Sequence, residues 1–155
     1  MTNFRAGASF FLDPMVANAK KPNRNTTMKM TNPLYSITWH KAEKLLRLTW
    51  LEGTAGMTDE DFRETLEVFA DGAMHHGATR LVIDVRQFQH RPSKEVLEWR
   101  DQVTVQKYNK AGAKRQAWIW PGDVSSMKPS SEGRCYEERY FSTEEEALAW
   151  LTEYL

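Results

Sequence analysis

His76-Gly-Ala-Thr-Arg-Leu-Val-Ile-Asp-Val85 decides how this chain is read. Its second half, Arg80 to Val85, is short, β-branched and nearly continuous in apolar residues, as a strand covered on both faces must be. A strand with one wet face would alternate instead. Double cover requires helices, and the flanking segments supply them. Upstream, Thr58 can cap a helix whose first turn holds Asp59, Glu60 and Asp61, where the macrodipole favours negative charge. Phe62, Leu66, Phe69, Ala70 and Ala73 then recur at helical spacing, and Gly77 stands where a helix-ending glycine belongs.

Downstream, Pro92 and Ser93 open a second helix that reaches about Lys110 and closes at Gly112, with Val96, Leu97, Val103 and Tyr108 inward. The β-branched run Val103-Thr-Val105 makes this helix the weaker of the two. Arg115 to Trp120 is a third strand-like run, stopped by Pro121-Gly122. Residues 123–133 are rich in Ser, Pro and Gly and read as a loop. Cys135 to Phe141 makes a short last strand, placed at an edge by the charges in its middle. Ser142 or Thr143 caps a final helix with Leu148, Trp150, Leu151, Tyr154 and Leu155 on its apolar face. Working back toward the N-terminus, Tyr35 to Trp39 and Lys44 to Leu51 form an antiparallel pair around the polar turn His40 to Glu43, with Leu46, Leu48 and Trp50 on one face.

The expected architecture is α/β, a single mixed, largely parallel sheet of about five strands flanked by three to four helices. Its order is β-β-α-β-α-β-(loop)-β-α, with right-handed crossovers between parallel strands.

The 155 residues carry 21 Lys+Arg against 21 Asp+Glu. No global basic field exists to hold nucleic acid. The even balance hides a split, because residues 1–33 hold five bases and one acid and the rest holds 16 bases and 20 acids. Pro14, Pro22 and Pro33 punctuate that basic segment, which has no period, so residues 1–33 are expected to be a disordered extension and residues 34–155 the folded domain. Arg5 before Ala6 to Leu12 imitates an export signal, yet Asp13 and Pro14 cut its apolar run to the bottom of the ~7–15 residue range. A cytoplasmic location is expected. No apolar stretch approaches the ~20 residues of a membrane span. A single cysteine, Cys135, excludes an internal disulfide and any cysteine-based zinc cluster.

Four stretches together resemble the STAS class of small α/β domains, and within it the divergent SpoIIAA-like branch, which shares its fold with CRAL-TRIO domains. They are Leu45 to Gly53 with the Thr58 helix, His76 to Val85, the strand end Trp118 to Gly122, and Phe141-Ser-Thr-Glu-Glu-Glu-Ala-Leu-Ala-Trp-Leu151. The resemblance covers residues 34–155, with the closing segment the most specific part. It implies the fold and a bacterial, non-enzymatic regulatory role; activity does not follow from fold. In the anti-sigma-factor antagonists of that class, a serine in an Asp-Ser-Ser-Gly motif after the central strand is phosphorylated. The matching place here is Pro92-Ser93-Lys94-Glu95, where Ser93 survives and the aspartate, second serine and glycine do not.

The candidate ligand or partner site gathers Asp84, Arg86, His90, Ser93, Trp118 and Trp120. Asp84 and Arg86 stand at the carboxyl edge of the central strand, where open α/β sheets bind ligands; otherwise Asp84 is a buried carboxylate held by backbone N–H groups and Arg86 a solvated loop residue. His90 lies close to Ser93, but no Gly-x-Ser-x-Gly elbow supports a nucleophile. His75 and His76 point about 100° apart on a helix and read as a surface pair, unable to share a metal. Six tryptophans is the unusual count; Trp118 and Trp120 share a strand face, as core or as pocket lining. No catalytic residue, cofactor or metal is expected. The first reading is a non-enzymatic domain with a protein partner or a second copy of itself. Its alternatives are a carrier or sensor of a small apolar ligand in an aromatic-lined pocket near residues 123–133, and an uncharacterised enzyme using Asp84, His90 or Ser93.

Overall fold

The computed structural model describes residues 27–153. One six-stranded sheet runs through it in sequential order. The strands are β1 (Thr27–Thr31), β2 (Tyr35–His40), β3 (Leu45–Trp50), β4 (Arg80–Asp84), β5 (Arg115–Ile119) and β6 (Glu137–Phe141). Helices α1 (Asp59–His76), α2 (Lys94–Ala111) and α3 (Glu144–Leu151) interrupt them. β1, β2 and β3 pair antiparallel, and β3 through β6 pair parallel. The fold is the mixed, mostly parallel α/β sheet read from the sequence, with one strand more than expected.

That extra strand corrects the expected domain boundary. Thr27–Thr31, ahead of the boundary expected at residue 34, is already a strand, because Met28 and Met30 alternate with Lys29 and pack against the core while β1 zips along β2. The remainder of the expected extension, residues 1–26, lies outside the described residues, as do Tyr154 and Leu155.

The local signals explain the helices. Thr58 accepts from the Asp61 N–H at 3.1 Å while the Thr58 N–H donates to Asp61 Oδ2 at 3.0 Å, a closed capping box. Gly77 ends α1 at φ 65°, a left-handed position that a side chain would resist. Ser93 caps α2 by accepting from Val96 N at 3.2 Å, and Thr143 caps α3 by accepting from Glu146 N at 3.2 Å. On α2 the buried side chains are Val96, Thr104, Val105 and Tyr108; Leu97 and Val103 are only half-buried. The inward face is thus rotated from Val103 toward Val105, and Thr104 is tolerated there because its hydroxyl donates to Arg100 O at 2.7 Å.

Two cores result from the strand alternation. One face of the sheet offers Ile37, Leu46, Leu48, Leu81 and Ile83 to α1 and α2. The other offers Leu45, Val82, Ala117 and Ile119 to α3, which seals them with Ala147, Trp150 and Leu151. His75 is exposed, but His76 is half-buried with its ring stacked on Trp39 at 4.4 Å, so only one of the two is a surface histidine. No described helix is long and apolar enough to cross a membrane.

Candidate functional site

Parallel strands need a crossover, and a helix usually provides it. Between β4 and β5 that helix is α2. Between β5 and β6 there is none: the chain crosses as an irregular loop from Trp120 to Tyr136. The stretch of sheet that a helix would cover is left facing a cavity of about 500 Å³, within the ~300–1,000 Å³ of small-molecule sites.

Alternation decides what lines it. Gln116 and Trp118 on β5 point to this side with Trp120 just beyond, and Glu138 and Tyr140 on β6 do so with Tyr136 just before it. Opposite stand Leu97, Thr104, Val105 and Tyr108 of α2, with Phe62 of α1 and Phe88 closing one end. The aromatic rings are packed against one another. Trp118 stacks on Tyr140 at 6.0 Å, Trp120 meets the same ring edge-on at 5.7 Å, and Tyr108 meets Tyr136 at 6.1 Å. Burial pushes the Tyr108 and Tyr136 phenols well above their ordinary range, so both stay neutral.

The charges around the cavity are matched. Arg134 reaches Glu138 at 3.1 Å and Asp101 at 3.8 Å, and Arg100 pairs with Asp101 at 3.1 Å. Glu138, set in the middle of an edge strand, is not solvated as its position suggested: its side chain is 3% exposed. Its burial is compensated by Arg134 and by the Ser130 N–H at 3.3 Å. Asn109 of α2 fastens the crossover loop, donating to Gly133 O and accepting from Cys135 N, each at 2.8 Å.

The six residues singled out in the sequence occupy three separate places. Trp118 and Trp120 line the cavity, half-buried. Asp84 and Arg86 lie on the opposite face of the sheet, beside α3. There Asp84 accepts from Arg86 N, Nε and Nη2 at 3.1, 3.0 and 2.7 Å, and from Arg47 Nη2 at 2.9 Å. Glu144 at the start of α3 binds both arginines. Asp84 is therefore an ion-paired carboxylate, and Arg86 is anchored rather than a loose solvated residue. Burial pushes the Asp84 carboxyl up, but the hydrogen bonds and charge of Arg86, with the charge of Arg47, outweigh it and hold it below its ordinary value.

His90 and Ser93 meet at a third place, around Asp59. His90 Nε2 lies 2.8 Å from Asp59 Oδ1, and the Ser93 N–H donates to the same oxygen at 3.3 Å. Hydrogen bonds from Ser93 and His90 keep the Asp59 carboxyl below its usual range. The acid stands between the other two, whereas a nucleophile relay needs the histidine in the middle. Reading the sequence alone missed Gln116, Tyr136, Tyr140, Arg134 and Glu138. Their signal was present as two parallel i, i+2 series, on β5 and into β6, facing a crossover without helical pattern.

No curated protein and no solved structure matches the chain. A family model does, over residues 48–152, from the second half of β3 through the end of α3. The matched region takes in the parallel half of the sheet, all three helices and the cavity, and the chain belongs to the SpoIIAA-like family.

Proposed function

We propose that this chain is a non-enzymatic, cytoplasmic binding domain that takes a small, largely apolar ligand into the cavity between α2, β5 and β6. One observation carries the reading: an aromatic-walled space of about 500 Å³ lies where the crossover helix is missing. The family suggests a regulatory or binding domain in general terms. A primary protein-docking face would present an apolar patch, and among the described residues Met74, 37% exposed, is the exposed large hydrophobic side chain. The edge strand β6 alternates Glu137 and Arg139 outward, which discourages strand addition. Catalysis gains no support from the cavity's ionisable groups, since each carboxylate is engaged by an arginine and the buried phenols are neutral.

The test is titration with N-phenyl-1-naphthylamine, a neutral dye that brightens in apolar sites. Saturable one-to-one binding is expected, and Leu97→Trp, at a half-buried position on the cavity wall, should weaken it at least tenfold while preserving the fold. Binding that does not saturate, or that ignores Leu97→Trp, overturns the reading. Native mass spectrometry of the purified chain reports any co-purified ligand and the presence of a second copy in one measurement.

A further inference from the structure

We infer that the cavity's ligand is a planar apolar molecule bearing a neutral hydrogen-bond acceptor, a carbonyl of the ketone, quinone or amide kind, seated against Gln116, Trp118 and Tyr136. This rests on the proposal that the cavity binds a small ligand and specifies its chemistry. Among the described residues, Gln116 Nε2, Trp118 Nε1 and Tyr136 Oη are buried polar atoms that meet no hydrogen-bond acceptor. All three belong to residues that line the same cavity. Gln116 is 2% exposed and Tyr136 6%, so neither is an ordinary surface group. Nearly all buried polar groups in folded proteins are satisfied, and three exceptions on one wall call for a common explanation. An indole N–H can only donate, and the Tyr136 phenol, whose oxygen lies near the Arg134 guanidinium and whose pKa burial nonetheless pushes upward, keeps its proton to donate. The wall thus offers donors, and its complement is an acceptor.

The charge pattern selects a neutral acceptor over an anionic one. Glu138 sits between Tyr136 and Tyr140 on this wall, and its one close cation, Arg134, is already shared with Asp101. Arg100 is likewise committed to Asp101. A carboxylate or phosphate entering here would face the buried Glu138 carboxylate with no free cation among the cavity's arginines. A carbonyl oxygen, with two lone pairs, takes two of the donors without altering the charge. The rings of Trp118, Trp120 and Tyr140 supply flat apolar contact for the remainder.

Three probes with one tricyclic body separate the possibilities: fluorene, 9-fluorenone and fluorene-9-carboxylate, each titrated against the full chain by quenching of tryptophan emission. Fluorenone is expected to bind about tenfold more tightly than fluorene, and fluorene-9-carboxylate more weakly than the ketone. Tyr136→Phe and Gln116→Met, both close in shape to the native residues, should each shrink the fluorenone-to-fluorene ratio to threefold or less while leaving fluorene affinity unchanged. Equal affinity for fluorene and fluorenone overturns the acceptor inference and leaves the apolar cavity standing. Tightest binding by the carboxylate overturns the neutral ligand. Failure of all three to saturate overturns the cavity reading and this inference with it. Should Gln116→Met fail to fold, Tyr136→Phe alone decides.

Discussion

Asp84→Asn separates a structural carboxylate from a functional one. The substitution keeps the shape of the side chain and removes its charge. Asp84 is 4% exposed at the side chain and accepts four hydrogen bonds from two arginines. Breaking a buried ion pair by removing one partner costs ~3–5 kcal/mol. Two features reduce that here. Arg86 is 40% exposed and can turn to water, and Glu144 remains to neutralise both arginines. The expected loss is about 2–3 kcal/mol, and with a urea m-value of ~1–3 kcal/mol/M the midpoint should fall by roughly 1 M. Adding Arg86→Met to Asp84→Asn should cost little more, because the pair is already broken. The pH dependence follows from the depressed carboxyl. Its contribution is present above the unfolded value near pH 4 and is lost as the pH falls through the lower folded value. Because Asp84 lies on the α3 side of the sheet, binding of N-phenyl-1-naphthylamine should be unchanged. A loss below ~0.5 kcal/mol, or a weakened dye affinity, would refute this assignment.

Trp150→Ala should cost ~3–5 kcal/mol by thermal or urea unfolding, since the ring is 5% exposed, packs on Phe141 at 5.5 Å and is flanked by the Arg115 and Arg139 guanidinium groups near 5 Å; a near-neutral result would unseat the second core. Ser93→Ala should cost ~0.5–2 kcal/mol as a lost cap. Ser93→Asp should be no better than Ala despite its capping ability, because its carboxylate would face Asp59, and a clearly more stable aspartate variant would contradict that crowding. The His76 pKa is pulled down to about 4 by burial, with the neighbouring His75 adding to the effect. Protons bind the unfolded chain more readily in that window, so stability held above pH 6.5 should decline as the pH falls toward 4, and His76→Phe should flatten that slope in urea midpoints measured across it.

How much of this was legible beforehand depends on whether a feature is local. Thr58, Gly77, Ser93 and Gly112 act through bonds within four residues, and those four helix ends fell where they stand, while the last helix starts at Thr143, one of the two caps the sequence offered. The β4 run was legible because double burial leaves no polar position between Arg80 and Asp84 at its two ends. β1 was not, since Thr27-Met-Lys-Met-Thr31 is too short to show a period and gains its strand character from β2. The rotation of α2 was missed because Val103 and Val105 flank a threonine that looks polar in sequence but closes its own hydrogen bond. The grouping of Asp84 with Arg47 and Glu144, across 37 and 97 positions of chain, has no local signature at all.

The loop between β5 and β6 links the fold to the proposed function most directly. A helix there would bring its own apolar stripe and bury the aromatic wall as plain core. An irregular crossover cannot do so, because its backbone groups need partners and it has no continuous apolar face. What secures it instead is polar and peripheral: Asn109 to the backbone of Gly133 and Cys135, and Arg134 to Glu138. Those bonds hold the loop at the rim without filling the space beneath. The same residue choice that removes a helix thus leaves Gln116 Nε2, Trp118 Nε1 and Tyr136 Oη buried, with no acceptor for them among the described residues. Donors stranded in that manner destabilise the domain, and the proposed acceptor ligand would recover that free energy as affinity. Shape and chemistry of the site therefore have one origin, the absence of a helical period over residues 123–133.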